Sequence, residues 1–376
     1  MTRRAFSGAR IFDGTTLCAG GTVLVEGDIV RGVVADGAAP DGFARVALDG
    51  GVLLPGFVDL QANGGGGVLF NDETTPEGVA AIARAHAATG ARALLPTLIT
   101  DRPDKTRAAV AAVETAIAHG VPGVLGVHLE GPHLSVARKG AHDPDLIRPM
   151  TDADEAFLCA AARRLPNVMV TVAPETVAVA RIARLAAAGV IVSLGHSDCS
   201  HAQAVAAFAA GARCVTHLFN AMSQLGNREP GLVGAALTAP GVSAGLIADA
   251  IHVHPASIRA ALACKPSPGA VFLVTDAMPT LGAAIAEFRL NGRRVLRRDG
   301  RLTLEDGTLA GADLDFPTAV AVLTDQVGVD PARALAMATS GPASVLKDAM
   351  GFGRIVAGAR WSGIHLDAAG RYRDPG

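Results

Sequence analysis

Eight short apolar runs alternate with alanine-rich segments along this chain, and most of the runs end in an acidic, histidine or threonine residue. Continuous apolar runs are typical of strands covered on both faces, which occur in parallel sheets. The runs are GVLLPGFVDL to Asp59, RALLPTLIT to Thr100, VLGVHLE to Glu130, VMVTVAPE to Glu175, VIVSLGHS near His196, CVTHLFN with His217, VSAGLIAD to Asp249 and VFLVTDA to Asp276.

The segments between the runs have the periodicity of helices, as at 76–90, 104–120 and 176–189, and several close on a glycine. Eight strand–helix units predict an α/β fold in which the sheet closes into a (βα)8 TIM barrel rather than staying open. The length of 376 residues allows one large barrel domain or two ordinary domains.

The two ends of the chain have a different pattern, with short alternating segments broken by glycine and aspartate. We expect residues 1–50 and 346–376 to form a small β-sandwich beside a barrel domain at 51–345. Asn-Gly and Asp-Gly pairs predict a β-hairpin insertion near 284–308.

Composition excludes several classes of function. The 33 basic and 35 acidic residues nearly cancel, so no nucleic-acid partner is expected. No apolar run is long enough to span a membrane, and the N-terminus lacks the apolar stretch of a signal peptide. The five cysteines are scattered and odd in number, which suits a reducing compartment. These features predict a cytoplasmic protein.

The polar residues that end the runs predict a catalytic site, because the carboxyl ends of barrel strands carry the active site of this fold. Glu130, His196 and His217 form a two-histidine, one-carboxylate set that leaves open positions on a catalytic metal. Any one of these histidines alone has a structural explanation; three ligands on one barrel face favour the metal. Asp276 is a candidate general base and acid, although alone it could equally cap a following segment.

Three further residues lie in the loops after these strands. His142 follows strand three, where it could reach a polarised carbonyl. Arg228 and His252 follow strands six and seven, and their side chains suit an anionic group such as a phosphate. Taken alone, Arg228 is better explained by a surface salt bridge.

Together, these motifs resemble the N-acetylglucosamine-6-phosphate deacetylase family of the amidohydrolase superfamily. The matching stretches occur in family order between about 50 and 345, and THLFNAM with REPGL is the most specific combination. They are PGFVDLQANGGGG, HLEGPHLS, KGAHDP, VTVAPE, LGHSD, VTHLFNAM, REPGLVG, GLIADAIHVHP and VTDAMP.

The resemblance implies roles for individual residues. Glu130, His196 and His217 would be metal ligands, Asp276 the catalytic acid and base, and His142 the residue that polarises the acetyl carbonyl with the metal. Arg228 would reach the phosphate in the neighbouring subunit of a homodimer. The other implied substrate contacts are Gln61, Ala141, Asn220, Ala221, Asp249, His252, Leu309, Ala310 and Gly311.

The implied reaction is hydrolysis of the acetamide of N-acetylglucosamine 6-phosphate to glucosamine 6-phosphate and acetate. We expect one divalent metal per subunit, because Gln61 and Asn63 replace the His-x-His pair of two-metal relatives and no lysine ends a strand. Zinc is the first candidate, and iron, cobalt and manganese are alternatives.

Two alternatives stay open. The first is the same chemistry on N-acetylgalactosamine 6-phosphate or another phosphorylated N-acyl sugar, since His133 and Met278 depart from the family pattern near the pocket. The second is a barrel that has lost catalysis and serves as a scaffold, against which the intact ligand set and Asp276 argue.

Overall fold

A parallel eight-stranded sheet forms the centre of the computed structural model, which describes residues 1–376. Each strand pairs in parallel with the next one along the chain. The strands are β1 Phe57–Ala62, β2 Ala91–Ile99, β3 Gly126–Glu130, β4 Asn167–Val172, β5 Ile191–Leu194, β6 Cys214–Val215, β7 Ser243–Leu246 and β8 Val271–Leu273. The predicted (βα)8 TIM barrel is confirmed.

Helices follow the strands and bury their apolar faces, and β8 is followed by an insertion before its helices. The helices are α1 Pro76–Ala87, α2 Pro103–Ala118, α3 Asp152–Arg164, α4 Val179–Ala187, α5 His201–Ala209, α6 Gly231–Thr238, α7 Pro255–Cys264, α8 Phe316–Ala321, α9 Pro331–Ala338 and α10 Ser340–Val345. A π-helical turn at Val322–Val327 extends α8 and ends at Gly328. None of the helices combines the length and hydrophobicity that crossing a bilayer requires.

The seam between β8 and β1 closes beyond the regular end of β8. The backbone amide of Asp276 donates to the carbonyl of Gln61 at 3.0 Å, and the amide of Asn63 donates to the carbonyl of Ala277 at 3.0 Å. Below them, the fully buried Asp59 accepts hydrogen bonds from the backbone amide and the hydroxyl of Thr275. Residues at the ends of β1 and β8, and just beyond them, therefore also close the barrel.

Two further sheets bring the chain ends together beside the barrel. A four-stranded sheet contains Ile29–Val34, Thr22–Glu26, Arg3–Ser7 and Ala44–Ala47 in that order. A five-stranded sheet contains Tyr372–Arg373, Gly363–Leu366, Val52–Pro55, Arg10–Phe12 and Leu17–Cys18. Phe6 stacks on Trp361 between these segments, with ring centroids 4.8 Å apart. The proposed domain limits at about 50 and 346 remain a prediction.

The first apolar run, GVLLPGFVDL, is two strands and not one. Val52–Pro55 belongs to the five-stranded sheet, and only Phe57–Ala62 belongs to the barrel. The break falls at Gly56, where a side chain would collide with the side chain of Arg92 and the carbonyl of Ser362. The chain therefore passes from one sheet to the other at Gly56, in the middle of a continuous apolar run, because neighbouring segments approach its backbone closely there.

The insertion after β8 is larger than the predicted hairpin near 284–308. It is an antiparallel sheet of four strands, Glu287–Leu290, Arg293–Arg298, Arg301–Leu304 and Leu309–Ala312. Leu290, Val295, Leu302 and Ala310 form a small buried cluster that also includes Met278. The insertion is therefore packed on the mouth of the barrel, with its last strand close to Asp276.

Candidate active site

A cavity of about 500 Å³ opens at the carboxyl ends of the strands. It brings together most of the residues that the sequence singles out, from loops that lie far apart in the chain. Those in its wall are Glu130, Ala141, His142, His196, His217, Asn220, Ala221, His252, Asp276, Leu309 and Gly311.

The four remaining candidates lie elsewhere. Gln61 is buried behind the cavity, and Ala310 is buried in the insertion. Asp249 supports the wall from behind, accepting from Nδ1 of His252 at 2.6 Å and from two backbone amides. Arg228 is exposed and does not line the cavity of its own chain.

Ligand atoms of Glu130, His196 and His217 converge at the floor of the cavity. Oε1 of Glu130 lies 3.3 Å from Nε2 of His196 and 3.0 Å from Nε2 of His217, and the two Nε2 atoms are 3.0 Å apart. Atoms that bind one tetrahedral ion at about 2.0–2.1 Å lie roughly 3.3 Å apart. The spacing therefore fits a shared cation.

The hydrogen bonds of His196 give an independent reason for a cation. Its Nδ1 lies 2.9 Å from the carbonyl oxygen of Arg138, which can only accept, so Nδ1 carries the proton. In the neutral ring, Nε2 then directs a lone pair at the carboxylate of Glu130. A positive ion between the two would turn this repulsion into coordination.

His142 is adjacent to this set but farther from its centre. Its Nε2 lies 4.0 Å from Oε2 of Glu130, and its ring is 4.2 Å from that of His196. One ligand atom each from Glu130, His142 and His196 fall within 4.8 Å of one another, so His142 borders the same ion position. The shorter approach of His217 to Glu130 favours His217 as the third ligand.

Burial and neighbouring groups shift the pKa values at the floor in opposite directions. Burial alone would raise the pKa of Glu130, but the adjacent imidazoles of His196 and His217 outweigh it and hold that pKa well below its usual range. Burial lowers the pKa of His142, and the neighbouring His196 adds to this, so the ring is neutral. Burial, followed by the charge of Glu130, raises the pKa of Asp276 to about 7.

Two amide side chains donate to the carboxylates of Glu130 and Asp276, and that of Gln61 connects the two. Nδ2 of Asn63 donates to Oδ1 of Asp276 at 2.6 Å, and Nε2 of Gln61 donates to Oδ1 of Asp276 at 3.1 Å and to Oε1 of Glu130 at 3.0 Å. Asn63 was not among the predicted site residues. The sequence signal that could have identified Asn63 is its spacing. It follows Gln61 by two residues at the end of β1, so both side chains face the barrel mouth.

The functional residues lie mostly beyond their strands, on strained backbone. Glu130 ends β3, but His196, His217 and Asp276 lie in the first loop residues, with φ of 47°, 27° and 49°. Ala221 is also left-handed, with φ of 47°. Histidine and aspartate tolerate this region better than most residues, and its use here turns the side chains into the cavity.

Three apolar residues line the cavity without being among the predicted site residues. They are Met278, which precedes the insertion, Leu290 of the insertion and Ile99 of β2. Met278 also packs against Gly311, where any side chain would collide with it. His133, the other departure from the family pattern, is buried away from this cavity, and its Nδ1 bonds the carbonyl of Arg148 at 3.1 Å.

Comparison with known proteins agrees with this geometry. The model of the amidohydrolase family matches residues 52–369. The chain is 41% identical to N-acetylgalactosamine-6-phosphate deacetylase of Shewanella sp. over 85% of this chain and 80% of that protein. It is 32% identical to N-acetylglucosamine-6-phosphate deacetylase of Haemophilus influenzae over 86% and 84%.

The fold also matches solved structures along its whole length. The crystal structure of N-acetylglucosamine-6-phosphate deacetylase from Pasteurella multocida superposes with a TM-score of 0.94 and 31% identity, covering 100% of this chain and 98% of that one. Family model, relatives and structure agree on one assignment, and the chain belongs to the amidohydrolase family.

Proposed function

We propose that this protein is a metal-dependent deacetylase of an N-acetylhexosamine 6-phosphate, with N-acetylglucosamine 6-phosphate as the first candidate substrate. The observation that carries the proposal is the position of Asp276, whose carboxylate shares Gln61 with Glu130 at the floor of the cavity. A base and a cation site are thereby held side by side, as amide hydrolysis requires. The relatives named above carry out deacetylation of such sugar phosphates.

Glu130, His196 and His217 would hold a single divalent ion. When bound, such an ion lowers the pKa of water and polarises a carbonyl. Gln61 and Asn63 occupy the positions of the His-x-His pair, and both donate amide hydrogens to carboxylates. An amide nitrogen that donates in this way offers no lone pair, which supports one metal rather than two.

Asp276 and His142 perform the proton transfers and charge stabilisation in this proposal. Asp276 removes a proton from the attacking water, and a carboxyl whose pKa is raised to about 7 can return that proton to the departing amine. His142 faces the acetyl oxygen and stabilises the negative charge that develops there. Water thus supplies a hydroxyl to the acetyl carbon and a proton to the sugar nitrogen, which gives acetate and an amine.

Thr100 holds the ring of His142 in place. The Thr100 hydroxyl donates to the carbonyl of Glu130 at 3.2 Å, and its oxygen lies 2.7 Å from Nδ1 of His142. This contact keeps the ring of His142 in the cavity wall, where its proposed role requires it.

N-acetylgalactosamine 6-phosphate is the second candidate substrate. The relative at 41% identity is named for the galactosamine isomer, whereas the one at 32% is named for the glucosamine isomer. The two sugars differ in the orientation of one hydroxyl group. Met278 and Leu290 in the cavity wall are candidates for the residues that contact this hydroxyl group.

Acetate release from the 6-phosphates of both N-acetyl sugars, and from the plain sugars, tests the proposal. We expect kcat/KM at least tenfold higher on a phosphorylated sugar than on its plain counterpart. The ratio between the two phosphorylated isomers identifies the substrate. Absence of acetate from all four compounds in the metal-loaded protein would refute the proposal.

We further propose that the ion is zinc and that the protein is a cytoplasmic homodimer. Two histidines and a carboxylate suit zinc, although iron, cobalt and manganese share these preferences. The five cysteines are all unpaired, in keeping with a reducing compartment. Arg228 is exposed outside its own cavity, so it is free to reach the phosphate in a neighbouring subunit.

A further inference from the structure

Arg138 is the only lysine or arginine in the wall of the cavity. The proposed substrates carry a phosphate, yet the floor of the cavity presents the carboxylates of Glu130 and Asp276, which repel an anion. Arg228, the phosphate residue expected from the sequence, does not line this cavity. Arg293 lies behind the wall, where its guanidinium donates to the carbonyl of Ala141, so Arg138 is the arginine that faces the cavity.

The backbone of Arg138 is fixed to the catalytic floor. It lies in a short 3-10 turn, Val136–Arg138, and its carbonyl accepts the Nδ1 proton of His196 at 2.9 Å. Its amide donates to the carbonyl of Ser135 at 3.0 Å. The backbone of Arg138 is therefore tied directly to His196, one of the proposed metal ligands.

The side chain is anchored on one edge and free on the other. Nε donates to Oδ1 of Asp198 at 2.8 Å, and the amide of Asp198 is itself held by Glu175 at 2.6 Å. No protein atom accepts from Nη1 or Nη2 of Arg138. The side chain of Arg138 is 39% exposed, and these two nitrogens are open to a ligand.

We propose that Nη1 and Nη2 of Arg138 bind the phosphate of the substrate, as an in-chain partner to any contact made by Arg228. This rests on the proposed function. Gly140, in the same loop, lies next to His196 and Ala221, so Arg138 is on the side of the cavity formed by the loop with Asn220 and Ala221. A planar guanidinium held by Nε presents a two-pronged donor to phosphate oxygens.

The competing explanation is a surface ion pair between Arg138 and Asp198 with no role in binding. Exposed pairs contribute little to stability, on the order of 0–1 kcal/mol. Arg164 offers a matched control, since it makes a similarly exposed pair with Glu114 at 3.2 Å, away from the cavity.

The test compares Arg138→Ala, Arg138→Lys and Arg164→Ala in acetate release from phosphorylated and plain N-acetyl sugars. We expect Arg138→Ala to raise KM for the phosphorylated sugar at least tenfold and to lower the preference for it over the plain sugar by a similar factor. Arg138→Lys should restore part of the preference, because a point charge replaces the two-pronged donor. Arg164→Ala should match the unsubstituted protein.

An unchanged preference in Arg138→Ala, or an equal loss on both sugars, would overturn the role of Arg138. Metal content and thermal midpoint identify a variant that has merely lost its fold. Equilibrium binding of glucosamine 6-phosphate and of glucosamine is measured in parallel on the same variants. If the unsubstituted protein released no acetate, the proposed function would fail, while selective loss of glucosamine 6-phosphate affinity in Arg138→Ala would still support the site.

Discussion

Asn63 donates its side-chain amide to Oδ1 of Asp276 at 2.6 Å, and this bond links the end of the first barrel strand to the loop that follows the last one. Gln61 reaches the same oxygen at 3.1 Å. Both donors lie on one oxygen, so Oδ2 receives no comparable bond and is the oxygen best placed to exchange a proton. The seam of the barrel thereby orients the proposed base.

We expect Asn63→Ala to lower kcat by roughly 10- to 100-fold, since a hydrogen bond to a charged group is worth about 1.5–3 kcal/mol. KM should change much less, because Asn63 does not line the cavity. Steady-state acetate release with metal content as a control checks this. Unchanged kcat in a fully metallated variant would show that Asp276 keeps its orientation without Asn63.

Asp276→Asn should reduce turnover by at least about 10²- to 10⁴-fold, the range that a general acid–base group contributes. Metal content should stay normal, because Glu130 and the two histidines are untouched. Single-turnover acetate release and elemental analysis provide the measurements. Near-normal turnover would remove Asp276 from the chemistry.

Thr100→Val should lower kcat about tenfold or more, because the isosteric side chain cannot bond Nδ1 of His142 and hold its ring in place. Thr100→Ser keeps the hydroxyl and should recover most of the activity. The comparison uses kcat at saturating substrate and the thermal midpoint of each variant. Equal activity of the valine and serine variants would contradict the role of the hydroxyl.

His196→Ala should bind less than a tenth of the metal that the unsubstituted protein holds, as one of three ligands is lost. Chelation of the unsubstituted protein should abolish acetate release, and adding zinc should restore it. The thermal midpoint of the chelated protein should fall, because an ion that binds only the folded state stabilises it. Full metal binding by His196→Ala would argue for another ligand set.

Acid sensitivity should depend in part on His133. Burial lowers its pKa from 6.5, against a smaller opposing effect of its bond to the Arg148 carbonyl, so the folded protein keeps the ring neutral while the unfolded chain takes up a proton. The stability that a neutral His133 confers is complete above pH 6.5 and is lost as the pH falls toward the lowered pKa. In His133→Leu the unfolding free energy should fall less steeply between pH 6.5 and 5.

Urea denaturation at several pH values measures this difference. The other buried histidines are present in both proteins, so the difference between the two slopes isolates His133. Identical slopes would mean that His133 takes up its proton as readily when folded as when unfolded.

Much of the barrel could be predicted because its strands are covered on both faces and are therefore apolar throughout. Polar residues after the strands, such as His196 and Asp276, could be recognised because they interrupt these apolar runs. Strand ends were less visible, since β8 stops at Leu273, three residues before Asp276. The split at Gly56 depends on a close approach between segments that no local pattern contains.

Contacts made by converging loops were outside the reach of sequence. Arg138 appears in the chain as one of two basic residues before a glycine, with nothing to separate it from a solvated surface residue. Its position depends on the loops with Gly140, Asp198 and Ala221 meeting in space. Asn63 looked like the loss of a metal ligand, and only the closed seam shows what its amide donates to.

The left-handed backbone at His196, His217 and Asp276 affects which substitutions at this site would stabilise the fold. Each such residue costs on the order of 1 kcal/mol or more relative to relaxed backbone, and glycine would relieve that strain. His196 and His217 are also proposed metal ligands, so glycine there would lose the stability that a bound ion provides. A search for heat-resistant variants without a test of activity would therefore favour replacement of Asp276. Selection for turnover and selection for thermal stability oppose each other at that position.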